Sequence, residues 1–424
     1  MSTTQTEHHR SGPPSDGPLS WLRMLGPRGR RAFGGAFGGY ALDSYDYFTL
    51  PLSMVAISAY FSLDNGQTGL LTTVTLVVSA LGGALAGILA DRIGRVKALM
   101  VTVATYAVFT VACGFAPNYE TLMLFRALQG LGFGGEWAVG AILVAEYATA
   151  KHRGRTLGAV QSAWAAGWGL AVLVYTLVFA FLDDDIAWRV MFWTGALPAL
   201  LLVYVRRHVT DAPAAAAQRA ASTRRGSFAT IFRGRLLRAT LFATLLSTGV
   251  QGGYYTLATW VPTYLKTERG LTVVGTGGYL ALLISGAFIG YLTGGYLTDR
   301  IGRKRNIMLF AVLSALGVLA YTQIPEGANE LLLVLGFPLG FCMSAIFSGF
   351  GSFLSELYPT EVRGTGQGFT YNSGRAVGAF LPTLVGFLSD SWGVGGALAL
   401  GAVGYGLAVV ALAGLPETRG KELV

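Results

Sequence analysis

The chain has 424 residues, of which 53% are hydrophobic and only 12% are charged. That balance excludes an ordinary soluble protein and is typical of a polytopic membrane protein. The net charge of +9 does not predict nucleic-acid binding, because the basic residues lie in loops between apolar segments.

Apolar segments of about 20 residues, the length that crosses a bilayer, follow one another along the chain. The sequence therefore predicts an all-α polytopic membrane protein with twelve transmembrane helices. The predicted spans lie near 32–60, 67–90, 98–116, 120–146, 156–181, 188–205, 239–265, 271–298, 306–324, 331–356, 366–390 and 393–415.

These spans divide the chain into two halves of six. Residues 1–31 form a disordered tail, 32–205 the N-terminal six helices, 206–238 a basic linker, 239–415 the C-terminal six helices and 416–424 a short tail. Most of the 31 Lys and Arg residues lie in the tails, the linker and alternate loops. This asymmetry predicts that both termini, the linker and those loops face the cytoplasm.

A five-residue motif occurs twice. Asp91-Arg92-Ile93-Gly94-Arg95 returns as Asp299-Arg300-Ile301-Gly302-Arg303, with a shift of 299 − 91 = 208 positions. Each copy follows a long apolar segment and precedes further positive charge. An aspartate and several arginines at a helix end are suited to holding a neighbouring helix end by charge-assisted hydrogen bonds. The motif thus predicts a conformational device rather than a substrate site.

A second pair of motifs keeps nearly the same shift. Glu146 with Arg153 is matched by Glu356 with Arg363, and 356 − 146 = 363 − 153 = 210. Because two unrelated motifs share one register, the two halves are interpreted as products of a duplication.

Five ionisable residues fall well inside predicted spans: Asp43, Asp46, Arg126, Glu136 and Arg375. A charge near the bilayer centre costs about 2.5–3.5 kcal/mol on insertion scales, so such residues tend to face a bundle interior and to be paired. These five form the predicted transport site.

The first span carries two carboxylates three residues apart, which places them on one helix face. Such proximity favours protonation of one of them. Asp46 lies nearer than Asp43 to the level of Arg126, so Asp46 with Arg126 is the preferred pair. The alternative for each aspartate is that it only neutralises an arginine.

Arg375 lies near the middle of the eleventh span, where its planar guanidinium is suited to binding a carboxylate. The alternative is an internal salt bridge to Asp43 or Glu136. Glu136 lies about 15 Å along its helix from Arg126 at 1.5 Å per residue, so these two cannot pair. Glu136 is either a second protonatable group or the resident partner of Arg375.

Further polar and aromatic residues are placed to shape a central cavity. Trp260, which precedes Pro262, is instead expected to anchor the chain at the membrane interface. The four histidines fall in the tail or loops, so neither a metal site nor an enzyme is predicted. The predicted cavity residues are Gln161, Trp164, Gln251, Tyr255, Tyr371 and Asn372.

The paired Asp-Arg-x-Gly-Arg turns, the run Arg126-Ala-Leu-Gln-Gly130 and the ending Pro416-Glu417-Thr418-Arg419-Gly420 resemble the major facilitator superfamily. This resemblance implies two six-helix bundles that rock about a central site. It also implies that the turn residues form a cytoplasmic gate. The implied gate residues are Asp91, Arg92, Arg95, Asp299, Arg300, Arg303, Glu146, Arg153, Glu356 and Arg363.

Finer resemblances concern the spans. The run from Gly38 to Asp46 is similar to a glycine-rich run in proton-coupled sugar porters, in which Asp46 matches an aspartate that works against the fourth-span arginine. The Asp43-x-x-Asp46 spacing is similar to that of aromatic acid:proton symporters, with Ser44 replacing a glycine. Gly134-Gly135-Glu136-Trp137 resembles sialate:proton and metabolite:proton symporters, and organic-anion transporters carry an arginine in a setting similar to that of Arg375.

Taken together, residues and resemblance predict a proton-coupled importer of a small organic anion of the monocarboxylate, aromatic acid or sialic acid type. The proton-coupling residues are Asp43, Asp46, Arg126 and Glu136, and Arg375 binds substrate. The chain is expected to work in the inner membrane as a monomer among lipids, without a cofactor. The alternative is uptake of a neutral sugar or a zwitterion, in which Arg375 is only structural.

Overall fold

The computed structural model describes residues 22, 25–145, 153–197, 207–208 and 228–419. In these ranges the chain forms helices joined by short turns and contains no β-strand. The helices of the first half are α1 (Gly26–Phe61), α2 (Asn65–Ile93), α3 (Arg95–Cys113), α4 (Tyr119–Ala145), α5 (Arg153–Phe181) and α6 (Asp184–Trp193). Those of the second half are α7 (Gly234–Thr267), α8 (Val273–Ile301), α9 (Arg303–Thr322), α10 (Asn329–Glu356), α11 (Arg363–Gly378), α12 (Phe380–Leu398) and α13 (Leu400–Ala413).

Helices α1 to α10 correspond one to one with the first ten predicted spans. The eleventh span comprises α11 and the first part of α12, and the twelfth begins inside α12, where Gly393 turns the chain with a φ of 73°. A positive φ is readily adopted only by glycine, which explains the sharp turn between two spans. Among the described residues, seven helices are long and apolar enough to cross a membrane by length and composition.

The duplication is visible in the backbone. Gly94 and Gly302 of the repeated motif adopt nearly the same conformation, with φ of 100° and 103°. Helices α1 and α7 each contain an internal proline, Pro51 and Pro262, and the shift of 262 − 51 = 211 is close to that of the motifs. Equivalent positions in the two halves therefore fold in the same way.

Within each half, close helix packing depends on glycine. A Cβ added to Gly134 of α4 would overlap the carbonyl of Ser79 on α2, and a Cβ added to Gly340 of α10 would overlap the carbonyl of Leu283 on α8. Small residues let helix backbones approach closely in membrane proteins. The pairs α2 with α4 and α8 with α10 are thus equivalent contacts in two bundles.

The two halves meet along α1 with α7, α2 with α11 and α12, and α5 with α8. We call the end that holds the two Asp-Arg-x-Gly-Arg turns the basic end. There, Arg155 of α5 lies over the ring of Tyr296 of α8, at 4.8 Å from its centroid. At the opposite end, Lys266 of α7 pairs with Asp184 of α6 at 3.6 Å. At each end, therefore, a basic side chain of one half contacts a residue of the other half.

The predicted tails and linker are only partly described. Helix α1 begins at Gly26, before the predicted start at residue 32, and α7 begins at Gly234, before residue 239. Of the linker 206–238, residues 209–227 lie outside the described residues. Its last part forms a 3₁₀ helix, Phe228–Phe232, whose Ile231 packs against Tyr358.

Candidate functional site

Arg375 lies on α11 between the two halves, with 4% of its surface exposed. Its Nη1 donates to Oγ of Ser79 at 3.3 Å, and its Nε donates to Oε1 of Gln251 at 3.3 Å. Its guanidinium carbon lies 5.0 Å from the ring centre of Tyr371 and 5.5 Å from that of Phe133. All four partners are neutral, and each half of the protein supplies two of them.

An aromatic cluster surrounds this position. We define it as Tyr40, Tyr47, Phe133, Trp164, Tyr254, Tyr255 and Tyr371. The ring centre of Tyr47 lies 5.3 Å from that of Tyr255, 5.8 Å from that of Trp164 and 5.9 Å from that of Phe133. Phenol and indole groups combine flat apolar faces with hydrogen-bond donors at their edges. The cluster is therefore suited to a flat, partly polar ligand.

Two hydrogen bonds within or beside the aromatic cluster cross between the halves. Nε1 of Trp164 donates to the hydroxyl of Tyr254 at 2.6 Å, and the hydroxyl of Tyr47 bonds Oγ1 of Thr259 at 3.0 Å. Both bonds join α1 or α5 to α7. A movement of one half against the other would have to rearrange them.

The two aspartates of α1 have different surroundings. Asp43 is buried and interacts electrostatically with Tyr40 and Tyr255 of the aromatic cluster. Asp46 points into the first half, where Oγ1 of Thr110 and Nε2 of Gln129 donate to its two carboxylate oxygens. Although they are three residues apart, the two carboxylates are held by different neighbours.

Gln129 connects Asp46 to Arg126. Its Oε1 accepts a hydrogen bond from Nη1 of Arg126 at 2.5 Å, while its Nε2 donates to Asp46 and lies 2.9 Å from Oγ1 of Thr110. All four side chains are buried. In the part of the chain that the structure describes, Nε and Nη2 of Arg126 have no hydrogen-bond partner.

Asp46 and Arg126, the preferred pair, are therefore linked through Gln129. Gln129 follows Arg126 by three residues and lies on the same face of α4, so its amide fits between the two charges. Neither Gln129 nor Thr110 was predicted from the sequence as a site residue. The spacing of Arg126 and Gln129 on one helix was a usable signal, whereas nothing in the sequence connects Thr110 to them.

The other predicted site residues are placed as follows. Gln251 contacts Arg375 and also donates to the carbonyl of Tyr371 at 2.9 Å. Asn372 donates to the carbonyl of Gly368 at 2.9 Å, and Gln161 is buried on α5. Glu136 lies on α4, but its side chain is outside the described part.

The interfacial role expected for Trp260 is wrong. Its side chain is fully buried, and its Nε1 donates to the carbonyl of Pro382 at 2.8 Å. The residue lies on α7 against α12, so it joins two helices of the second half instead of reaching a membrane interface.

At the basic end, the second copy of the gate motif forms a local network. Nε of Arg303 lies 3.3 Å from Oε1 of Glu356, and its Nη1 lies 3.5 Å from Oδ1 of Asp299. Thr418 donates to the other oxygen of Glu356 at 2.5 Å. These contacts join α8, α9 and α10 to the residues that follow α13.

Glu417 adds a second carboxylate to that network. Its burial opposes ionisation, but backbone N–H groups of Arg419, Lys304, Thr418 and Arg303 donate to it and together lower its pKa below the ordinary value. The nitrogen of Arg303 lies 3.0 Å from Oε1 of Glu417. The carboxylate thereby caps the start of α9.

The first copy of the gate is described only in part. Arg92 and its counterpart Arg300 are exposed, and Arg363 is half-buried at the start of α11. Among the described residues, Arg155 of the first half interacts electrostatically with Asp299 of the second half at this end. The remaining predicted gate side chains, those of Asp91, Arg95, Glu146 and Arg153, lie outside the described part.

Comparisons with known proteins bear on the family and the fold of the chain. The family model described as "Major Facilitator Superfamily" matches residues 36–294 and 281–423. The chain is 39% identical over 406 residues to a "Probable 4-methylmuconolactone transporter" of Cupriavidus pinatubonensis, covering 95% of this chain and 94% of that protein. It is 29% identical over 400 residues to the "Cis,cis-muconate transport protein" of Acinetobacter baylyi, covering 92% and 94%.

Among solved structures, the chain superimposes on a D-xylose-proton symporter with a TM-score of 0.75 and 22% identity, covering 93% of this chain and 99% of that one. The fold predicted from the sequence, an all-α membrane protein with two bundles of six helices, is confirmed over the part that the structure describes. The matched proteins are transporters and not enzymes. The chain belongs to the major facilitator superfamily of membrane transporters.

Proposed function

We propose that the protein imports a small, flat organic carboxylate together with protons. The observation that carries this proposal is Arg375, a buried cation whose hydrogen-bond and ring partners among the described side chains are all neutral. A buried guanidinium is stabilised most by a carboxylate that accepts two parallel hydrogen bonds. The substrate supplies this carboxylate.

The aromatic cluster supports the flat shape of the substrate. Rings from both halves surround the Arg375 position, and stacked or edge-on contacts with a conjugated ligand add to its affinity. The name of one relative points the same way, since cis,cis-muconate is a conjugated carboxylate. Because Ser79 and Gln251 come from different halves, a ligand on Arg375 contacts both bundles.

Proton coupling is assigned to Asp46, with Asp43 and Glu136 as further protonatable groups. Asp46 is completely buried and is linked to Arg126 through Gln129. Loss of its charge on protonation weakens the interaction with Arg126 and releases the first half to move. A solved structure of similar fold is named as a proton symporter, which is consistent with this assignment.

The basic end faces the cytoplasm in the inner membrane. Loops rich in arginine remain on the cytoplasmic side during insertion. The network of Asp299, Arg303 and Glu356 acts there as a gate. Transport is driven by the proton gradient without a cofactor, and the chain works as a monomer surrounded by lipid.

The proposal is tested by proton flux into vesicles that contain the purified protein. Addition of cis,cis-muconate or benzoate should acidify the vesicle interior, whereas the corresponding amides should neither acidify it nor compete with uptake. Equal competition by acids and amides, or proton flux with D-xylose and none with any carboxylate, would contradict the anion assignment. The last result would favour the neutral-sugar alternative.

A further inference from the structure

The amide of Gln129 faces two opposite charges. Its carbonyl oxygen accepts from the guanidinium of Arg126, and its nitrogen donates to the carboxylate of Asp46. An amide has one end that only accepts and one end that only donates. In this orientation the carbonyl end of Gln129 meets the donor on Arg126, and the nitrogen end meets the carboxylate of Asp46 and lies 2.9 Å from Oγ1 of Thr110.

Arg126 depends on this amide. The carbonyl oxygen of Gln129 is the one hydrogen-bond acceptor that the guanidinium has within the described ranges, because Nε and Nη2 have none there. The side chain is fully buried on α4. Burying a charged group without a hydrogen-bond partner costs free energy. If Gln129 is released, the guanidinium of Arg126 must therefore move or find another acceptor.

Thr110 gives Asp46 a way to hold a proton. Its hydroxyl is within hydrogen-bond distance of Asp46 and also lies 2.8 Å from the carbonyl of Tyr106. A hydroxyl rotates and can accept as well as donate. When Asp46 is ionised, Thr110 donates to it; when Asp46 is protonated, Thr110 accepts from it and donates to the Tyr106 carbonyl.

We propose that Gln129 is a positioning residue for proton coupling, whose amide transmits the charge state of Asp46 to Arg126. The inference rests on the proposed function, in which Asp46 takes up the proton. The other titratable groups facing the two charges are Tyr45 beside Asp46, Tyr47 beside Arg126 and Cys113 of α3 beside both. None of these forms the link that Gln129 makes between the two charges.

The charge state of Asp46 affects Gln129 and Arg126 because the strength of a hydrogen bond depends on the charge of its acceptor. A hydrogen bond to an ionised carboxylate is roughly twice as strong as a neutral one. Protonation of Asp46 therefore loosens the amide nitrogen of Gln129 and removes the negative charge that balances Arg126. The guanidinium is then held by a less constrained acceptor, so proton binding at Asp46 of α1 loosens the contact that holds α4 against α1.

The experiment uses the full-length protein in vesicles and compares Gln129→Leu with wild type. Two quantities are measured: accumulation of a radiolabelled carboxylate under an inward proton gradient, and exchange of internal for external carboxylate without a gradient. Gln129→Leu should retain exchange but lose accumulation at least about tenfold, because a hydrogen bond to a charged group is worth that factor or more. The pH at which exchange is half-maximal should also shift.

Thr75→Val is the matched control. The hydroxyl of Thr75 lies 3.2 Å from the backbone carbonyl of Arg126 and does not touch its guanidinium. This variant should accumulate the carboxylate as wild type does, with an unchanged pH profile. Loss of coupling in both variants would show that general packing around Arg126, and not the Gln129 amide, is responsible.

The outcomes separate the inference from the proposed function. If wild type shows no proton-driven accumulation, the proposed function fails. If wild type accumulates and Gln129→Leu matches it in accumulation and pH profile, the inference fails while the function stands. If the Gln129→Leu protein is too unstable to exchange carboxylate, the Gln129→Asn variant is measured instead, since its shorter amide cannot span both charges. A wild-type pH profile in Gln129→Asn would overturn the inference.

Discussion

Two buried arginines, Arg126 and Arg375, differ in what surrounds them. Arg126 is enclosed within the first half, with a carboxylate one amide away. Arg375 lies on the boundary between the halves, among aromatic rings and neutral hydrogen-bond partners. One cation has its counter-charge built into the chain, whereas the hydrogen-bond and ring partners that the described side chains give to the other are neutral.

This difference shows how one transporter can separate two tasks. A cation with an internal counter-charge changes state when that counter-charge is protonated, so it is suited to coupling. A cation with neutral partners gains most from an external anion, so it is suited to binding. Substitutions at the two arginines and at their neighbours test this separation of tasks.

Arg375→Met should nearly abolish uptake. Loss of the charged fork removes a contact worth about 2–5 kcal/mol, which corresponds to a loss of affinity of roughly 30-fold or more. The measurement is carboxylate binding to the purified variant together with uptake into vesicles. Arg375→Lys is the matched variant, since it keeps the charge without the planar fork; it should retain weak uptake. Wild-type uptake by Arg375→Met would remove Arg375 from the site.

Asp46→Asn should abolish uphill accumulation while keeping exchange, because an asparagine cannot gain or lose the proton. Accumulation under an inward proton gradient and exchange without one are measured on the same vesicles. Asp43→Asn is the comparison, since Asp43 lies at the aromatic cluster rather than beside Gln129; it should retain more accumulation than Asp46→Asn. Normal accumulation by Asp46→Asn would remove that residue from the coupling mechanism.

Trp164→Phe should alter transport moderately. It removes the hydrogen bond from Trp164 to Tyr254, worth about 1 kcal/mol, or roughly a fivefold change in the half-saturating substrate concentration. Trp168→Phe is the matched control on the same helix, because within the described residues the Trp168 nitrogen has no hydrogen-bond partner. An equal effect of both changes would indicate that lost ring volume, and not the bond between the halves, is responsible.

Glu417→Gln should have the smallest effect, confined to stability. Backbone donors hold the pKa of Glu417 below its ordinary value, so its ionised form stabilises the folded state above the unfolded pKa of about 4.3. That contribution is lost as pH falls through the lower folded pKa. The variant should melt about 1–2 °C below wild type at pH 7 and equally with it at strongly acid pH. A constant difference at all pH values would point to lost packing.

Much of the fold could be predicted from the sequence because helix length and repetition have simple physical causes. Apolar segments must match the bilayer, and two motifs in one register reveal the duplication. The ends of helices were harder to place, since α1 continues back through glycines and arginines to Gly26. The turn at Gly393 coincides with the predicted boundary between the eleventh and twelfth spans, whereas the break between α11 and α12 at Ala379 emerges only from the backbone.

The candidate site was predictable as a set of charges but not as a set of contacts. Depth in the membrane singled out Asp46, Arg126 and Arg375, since each would be costly if left exposed to lipid. Which groups touch depends on side chains from distant helices, such as Thr110 on α3. Trp260 shows the same limit: its position near a span end suggested an interface, and only the packing of α12 reveals its burial.

The contact between Lys266 and Asp184 at the opposite end has a consequence for the handling of the protein. The two side chains belong to different halves and lie 3.6 Å apart, with 24% and 55% of their surfaces exposed. Exposed ion pairs contribute no more than about 1 kcal/mol and are weakened by dissolved ions. The hydrogen bond between Tyr47 and Thr259 is buried and insensitive to salt. A buffer of higher ionic strength weakens the ion pair but not the buried hydrogen bond. It therefore biases the purified protein slightly toward opening at that end.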